Sequence, residues 1–266
     1  MSDARTMLIT GGASGLGLAL AQEAATLGWR VAIADINEAR GDDAAKQIAS
    51  SGGDAMFVRC DVRDETSIRI AMQRIARRWG QLDALINNAG IATTGLFETL
   101  TDEDWQQQLN TDLLGTVRSC RAAVSEMQRH DRGRIINIAA LHGAAPIPGL
   151  SSFSATQAAI IALSESLRAE LAPLGIQVSV ALPSFFRSNL NETLRSADPV
   201  SRARFLSNMG RQTSSSEYLA KLIMAAMDKN DFLIMPPEER WLLRQKRWQP
   251  KRYFAKLLAL AEKFRR

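Results

Sequence analysis

Short apolar runs rich in β-branched residues alternate along this chain with longer stretches of helical period, and that alternation predicts an α/β fold. Seven such runs, crossed over by helices with the usual right-handed connection, predict a doubly wound, seven-stranded parallel sheet in a single domain. The chain also shows no internal repeat and no low-complexity tract, which sets aside solenoids and disordered chains. In order, the expected strands are Met7 to Thr10, Arg30 to Ala34, Ala55 to Arg59, Leu82 to Ile86, Arg134 to Ile138, Gln177 to Leu182 and Phe232 to Met235. Between them, apolar residues recur at helical spacing over Leu16 to Leu27, Thr66 to Trp79, Asp104 to Arg129, Ser154 to Leu174 and Ser216 to Met227. The stretch from Asn189 to Ser215 breaks this rhythm: it is polar, reads without strand character, and has the length of an active-site lid.

Composition bounds the function classes. With 266 residues, 46% hydrophobic and 23% charged, the chain buries a sizeable core without needing disulfide or metal. Cys60 and Cys120 have no C-x-x-C spacing and no paired histidine, so neither a zinc site nor a disulfide framework is expected and a reducing compartment is the natural reading. No apolar run approaches a membrane span, and the first strand follows the start with no leader pattern before it, so a cytoplasmic location is expected. The formal net charge of +5 hides an asymmetry. Residues 240 to 266 carry ten Lys and Arg against one acid, Glu262, whereas the remaining 239 residues sum to −4. With no basic stripe on the body, a nucleic-acid partner is not expected.

The segment Thr10-Gly11-Gly12-Ala13-Ser14-Gly15-Leu16-Gly17 joins the first strand to the first helix. Glycines 11, 15 and 17 permit a tight turn and close backbone approach, and the helix opening near Leu16 directs free N–H groups and its positive dipole end at a pyrophosphate. Asp35, 18 residues beyond Gly17, ends the second strand, where a carboxylate can accept from both ribose hydroxyls of an adenosine and repel a 2′-phosphate. No Arg or Lys stands at 36 or 37, so NAD(H) is preferred over NADP(H). The plainer alternative leaves Asp35 a solvated strand-end acid.

TGGASGLG at 10 to 17, Asp61-Val62 after the third strand and Asn87-Asn88-Ala89-Gly90 after the fourth together resemble the short-chain dehydrogenase/reductases, from about Met7 to Met235. The resemblance implies a Rossmann-like fold over residues 1 to 237. It also implies contacts of Gly11, Ser14, Gly15, Leu16, Gly17 and Asp35 with the cofactor, Asp61 and Val62 at the adenine, and Asn88, Ala89 and Gly90 along the adenosine side. A homodimer or homotetramer, built through the helices over Asp104 to Arg129 and Ser154 to Leu174, is implied in the same way.

At the catalytic end the chain departs from that pattern. Hydride transfer to a carbonyl makes an alkoxide, so a hydroxyl must polarise the oxygen, an acid with a pKa near 7 must deliver a proton, and a cation must lower that acid's pKa. The family resemblance assigns these tasks to a Ser, a Tyr and a Lys in Y-x-x-x-K, with an Asn in the preceding helix. Aligned on Gly133-Arg134-Ile135-Ile136-Asn137-Ile138 and on Trp105 and Gly115, those positions are Ala140, Phe153, Gln157 and Asp112. Phe gives up no proton, Ala polarises nothing, and neutral Gln cannot lower a neighbour's pKa, although Gln157 can hydrogen-bond a ribose hydroxyl. Both substitutions at 153 and 157 keep volume, so fold and cofactor pocket should survive.

Stand-ins are few. His142 ordinarily titrates near neutrality and is a candidate acid, or else a loop histidine facing away. Asp112 in an apolar site would have a raised pKa and could donate a proton, or it is a solvated or capping acid. Asn110 would matter only in another register. Ser151, Ser152 and Ser154 read as helix caps. Beyond the sixth strand, Pro183-Ser184-Phe185-Phe186-Arg187-Ser188 resembles the family's P-G-x-x-x-T. There Ser188 would meet the nicotinamide carboxamide, and Phe185 and Phe186 either floor a pocket for a small apolar or carbonyl-type ligand or belong to the core.

After Pro236-Pro237 the chain reads as a separate tail, residues 238 to 266, with Trp241, Leu242, Trp248, Tyr253, Phe254, Leu257, Leu258, Ala261 and Phe264 at helical spacing against Lys and Arg. Such a helix suits peripheral contact with an anionic membrane or an acidic partner, or packing on its own body or another subunit. Three function classes remain open from sequence: a cofactor-binding pseudoenzyme with a regulatory or partner role, an active NAD(H)-dependent oxidoreductase with a non-standard proton donor, and a non-redox reaction in the same pocket.

Overall fold

A computed structural model of the chain describes residues 4–186, 190, 192–196, 198–210 and 214–265. The seven expected strands form β1 (Thr6–Thr10), β2 (Arg30–Asp35), β3 (Asp54–Arg59), β4 (Ala84–Asn87), β6 (Gly133–Ile138), β7 (Ile176–Ala181) and β9 (Leu233–Ile234). They lie in the order β3-β2-β1-β4-β6-β7-β9, every pair parallel. Strands covered on both faces read as continuous apolar runs, and β1 is buried along its whole length. One face is covered by α1 (Gly15–Thr26) and α9 (Ser216–Asp228), with Leu20 and Ile223 packed on Ile9 and Ile33. The other is covered by α3 (Glu65–Trp79) and α5 (Gly115–Met127), with Ile75 and Met127 against Leu8 and Ile135. A further helix, α2 (Glu38–Ser50), packs beside β3. Asp64 caps α3 by accepting from the Thr66 and Ser67 amides.

Two long helices differ from their sequence outlines. The run Asp104 to Arg129 is interrupted: α4 (Asp102–Gln108) passes through a π-helical turn, Leu109–Leu114, into α5, and ends in a 3₁₀ turn over Gln128–His130. After the single turn α6 (Leu141–Ala144), the next begins earlier, as α7 (Ser151–Leu171) followed by a 3₁₀ turn over Ala172–Leu174. Leu150 therefore flanks its start, and Ser151, Ser152 and Ser154 lie inside the first turn with buried hydroxyls that make no hydrogen bond, so they are not the caps expected of them.

The stretch Asn189 to Ser215 was expected to lack strand character, and its described residues correct that. A two-residue strand, β8 (Arg195–Ser196), pairs in parallel with β5 (Thr93–Thr94) outside the main sheet. Behind it, α8 (Pro199–Gly210) buries Phe205 and Met209, four residues apart on one face.

The tail folds back on the body as two helices, α10 (Arg240–Trp248) and α11 (Pro250–Arg265). Tyr253 is 3% exposed and its hydroxyl donates to the Pro146 carbonyl at 2.9 Å, while Lys246 Nζ donates to the Ala144 carbonyl at 2.6 Å. Leu242 and Leu243 pack on the cluster that contains Leu141 and Ile160. Packing on its own body thus accounts for one side of the tail, and Trp241, Trp248, Phe254 and Leu258 remain exposed on the other. Truncation after Pro237 is expected to lower the melting temperature by about 5 °C or more, because it strips the cover from Leu141 and removes the hydrogen bonds to the 144–146 segment. Calorimetry of the two forms checks it, and an unchanged melting temperature would mean the tail is only loosely attached. Among the described residues no helix is long and apolar enough to cross a membrane.

Candidate functional site

The strand order reverses direction between β1 and β4, and a crevice opens at the carboxyl ends of these two strands, where an open parallel sheet accommodates ligands. A cleft of about 420 Å³ lies there. Its floor is the glycine turn: Gly11 and Gly15 both have positive φ, +62° and +53°. Gly17 approaches the backbone so closely that a Cβ on it would overlap the Gly11 carbonyl oxygen and lie 2.6 Å from Asn88 Nδ2. Asn88 fixes this turn, its Nδ2 donating to the Thr10 and Gly11 carbonyls at 3.1 and 3.0 Å, and Thr10 Oγ1 accepts from the Asn88 and Ala89 amides. Asn88 is therefore first a brace for the loop, while Ala89 and Gly90 line the cleft beside it.

The start of α1 carries no side-chain cap and no acid in its first turn, which leaves its amide end open to an anion. Asp35 stands at the end of β2 with Oδ2 accepting from the Ala13 amide at 3.1 Å and Oδ1 from the Asn37 amide at 3.0 Å. It is thus an oriented carboxylate at the cleft rather than a freely solvated one. Arg40 lines the same end, its guanidinium 2.6 Å from the Glu192 carboxylate. Asp61 and Val62 follow β3 into the cleft, where hydrogen bonds from the Arg63 guanidinium at 2.7 to 3.2 Å hold the Asp61 carboxyl below its ordinary range. Gly11, Asp35, Asp61 and Gly90 are thereby gathered around one cavity, together with Ser14, Gly15 and Leu16. Its glycine cradle, uncapped helix end and oriented carboxylate fit a dinucleotide.

At the far end of this cleft Asp112, Ala140, Phe153 and Gln157 come together. Asp112 sits in the π-helical turn and is buried, which corrects the alternative of a solvated or capping acid. Oδ1 accepts from the Ile91 amide at 2.9 Å, and Oδ2 accepts from Gln108 Nε2 at 2.6 Å and Gln157 Nε2 at 2.9 Å. Burial pushes its carboxyl up to about 8, against the pull of those three donors, which favour the anion. One N–H of Gln157 is thus already used on Asp112. Phe153 and Ala140 belong to a small apolar cluster with Leu194, Phe205 and Met209.

His142 also lines the cleft, its ring tilted 51° against that of Phe185 with centroids 4.5 Å apart. Burial pushes its imidazole down to about 4, the Ala145 backbone offsetting only part of this. At neutral pH it is therefore uncharged, which corrects the expectation of an acid poised near neutrality. Phe186 lines the cleft and packs on the α1 face of the sheet. Asn110 instead accepts from Arg118 at 2.9 Å. Ser188 lies outside the described residues.

Several cleft residues escaped the sequence reading. Phe205 and Met209 of α8 are the clearest, and their four-residue spacing was the available signal; Gln108, which bonds Asp112 from behind the cleft wall, was missed as well.

Comparison with known proteins agrees with this architecture. Residues 5–199 match the family model for short chain dehydrogenase. An uncharacterised oxidoreductase of Mycobacterium bovis is 34% identical over 233 residues, covering 87% of this chain and 93% of that protein. The 2,5-dichloro-2,5-cyclohexadiene-1,4-diol dehydrogenase LinX of Sphingobium indicum is 36% identical over 179 residues, 67% of this chain and 72% of its own. Among solved structures, a short-chain dehydrogenase from Streptomyces avermitilis superposes with a TM-score of 0.83 at 26% identity, covering 97% of this chain and 98% of that one. A short-chain dehydrogenase/reductase of Burkholderia phymatum in complex with NAD gives 0.88 at 21%, over 94% and 95%. Strand order, glycine turn and sequence likeness converge, and the chain belongs to the short-chain dehydrogenase family.

Proposed function

We propose that this protein binds NAD(H) in preference to NADP(H) and does not perform the carbonyl and alcohol chemistry of its family, serving as a cofactor-dependent binding or regulatory protein. The single observation that carries this reading is the set of side chains at the far end of the cleft: Phe153, Ala140, Gln157 and Asp112 where a proton relay would need a phenol, a hydroxyl, an ammonium and an amide. Bound there, the cofactor would supply hydride chemistry at its nicotinamide ring. The chain's residues would hold it: the backbone of Gly11 to Gly17 would face the pyrophosphate, Asp35 would accept from the ribose hydroxyls, and Asp61 and Val62 would stand at the adenine. Beside the reacting position there is no hydroxyl on Phe153 to give a proton and no cation on Gln157 to lower the pKa of one.

The preference for NAD(H) rests on Asp35, whose carboxylate would face a 2′-phosphate with like charge, and on Arg40 being engaged by Glu192. Calorimetric titration of the full chain is expected to give NADH an affinity on the order of tenfold or more above NADPH, with Asp35→Ala bringing the two within a few-fold of each other. Tighter NADPH binding by the unaltered chain would overturn it.

A second reading, an active oxidoreductase with Asp112 as proton donor, is favoured by one observation: a buried carboxyl with its pKa near 8 retains a proton at neutral pH. Three donors already bond its two oxygens, so delivery of that proton would require the network to break.

A further inference from the structure

We propose that the uncovered side of the tail, centred on α10, is a docking surface for a membrane with anionic headgroups, on which the protein lies without crossing it. The inference goes beyond the cofactor reading and does not depend on it.

The two sides of the tail do different work. Leu242, Leu243 and Tyr253 pack on the body, and Lys246 is engaged by the Ala144 carbonyl. On the other side Trp241, Trp248, Phe254 and Leu258 are each more than half exposed, which covering the body does not explain. Trp241 and Trp248 stand two turns apart along α10 and so share one stripe. Arg240, Arg244 and Arg247 flank that stripe, with the Arg247 guanidinium 5.5 Å from the Trp248 ring centre, and Lys251 and Arg252 follow at the start of α11. All five cations are exposed. The tail's one ion pair among the described residues is Arg265 with Glu98, which holds α11 to the body and leaves these five unpaired. Lys256 fixes the helices to each other, its Nζ donating to Gln245 Oε1 at 3.0 Å and lying 5.4 Å from the Trp241 ring centre. The stripe is thereby presented on a folded support anchored to the body.

Charge and side-chain type identify what covers it. Residues 240 to 266 carry ten Lys and Arg against one acid, so a second copy docked through the same face would set arginine against arginine. The cover has to be anionic. A folded acidic protein would answer the charges but would need a matched pocket for each indole. A bilayer needs none, because headgroup phosphates accept from the guanidiniums while the indole rings enter the acyl boundary beneath them. With nine residues in α10 and sixteen in α11, neither helix spans a bilayer, so contact lies in the plane of the interface.

Co-sedimentation of the full chain with vesicles of phosphatidylcholine carrying about 30% phosphatidylserine, and with vesicles of phosphatidylcholine alone, tests this. Affinity for the anionic vesicles is expected to be about 100-fold or more the higher, and to fall away in about 0.5 M salt. Arg244→Glu/Arg247→Glu, confined to exposed side chains, is expected to weaken anionic binding by about 30-fold or more. Trp241→Ser/Trp248→Ser is expected to weaken it by about tenfold or more, and both variants should melt near the temperature of the unaltered chain. Each pair is informative alone, so either decides the matter if the other fails to fold. Equal binding to both vesicles, binding to neither, or anionic binding undiminished in either folded variant would each overturn the inference. Two further results, each in place of vesicle binding, would also overturn it. A dimer broken by Trp241→Ser/Trp248→Ser would assign the face to a second copy, and binding to polyglutamate that this variant leaves intact would assign it to an acidic protein.

Discussion

Gly17→Ala is expected to abolish detectable NADH binding, a loss of 100-fold or more in affinity, without unfolding the sheet. The reason is steric and local. A single methyl at this position would overlap the carbonyl oxygen of Gly11 and press on Asn88 Nδ2 at 2.6 Å. Neither can retreat easily, because Asn88 is held by the Thr10 and Gly11 carbonyls, and the backbone at Gly11 has a φ of +62° that few residues tolerate. The turn must open, and opening it moves the amide end of α1 away from where a pyrophosphate would lie. Circular dichroism close to that of the unaltered chain, together with a flat calorimetric titration, is the expected pair of results. Undiminished NADH binding by the variant would show that the cofactor does not use this turn.

The second large effect is a gain. Converting the four inner-cleft residues together, as Asp112→Asn, Ala140→Ser, Phe153→Tyr and Gln157→Lys, is expected to raise NADH oxidation with a reactive aryl ketone by on the order of 10³-fold or more over the unaltered chain. General acid catalysis and an oxyanion donor each contribute two or more powers of ten in rate, and the two are not additive. The changes have to be made as a set. A phenol introduced alone at 153 would keep its ordinary pKa near 10, since Gln157 carries no charge to lower it. A lysine introduced alone at 157 would meet Asp112 directly, where Gln157 Nε2 now donates to Oδ2 at 2.9 Å, and would be drawn into an ion pair with it. Tyr for Phe adds one oxygen to a side chain that already borders the cleft, so little repacking is needed. Steady-state NADH oxidation by the single, double and fourfold variants checks this, and a fourfold variant no faster than the unaltered chain would mean the scaffold no longer presents these positions to a substrate.

What could be read from sequence follows a physical division. The glycine turn, Asp35 and the parallel strands were legible because they are local: a positive φ calls for glycine, and a strand buried on both faces must be continuously apolar. The break in the helix from Asp104 to Arg129 was not, because Leu109 to Leu114 contains neither proline nor glycine. It coincides with Asp112 bonding the Ile91 amide and Gln157, partners 21 and 45 residues away. The expectation for His142 failed for the same reason. Its ordinary pKa lies near neutrality, but burial lowers it, and the ring packed against it is Phe185, distant in sequence. The stretch Asn189 to Ser215 reads as merely polar because the apolar contribution of its described residues is confined to a few such as Phe205 and Met209 on one face of α8. Positions that depend on one backbone conformation declare themselves in sequence, whereas those whose character is set by distant neighbours do not.

The most direct measurement is single-turnover stopped-flow of the NADH-saturated full chain against a panel of ketones, imines and activated alkenes, following the nicotinamide absorbance. A binding protein without proton relay shows saturable NADH binding and no loss of that absorbance above the rate in buffer. Rapid loss that declines as pH rises through about 8, where Asp112 would give up its proton, and that disappears in Asp112→Asn, would contradict it and establish a working oxidoreductase with a buried carboxylic acid as its donor.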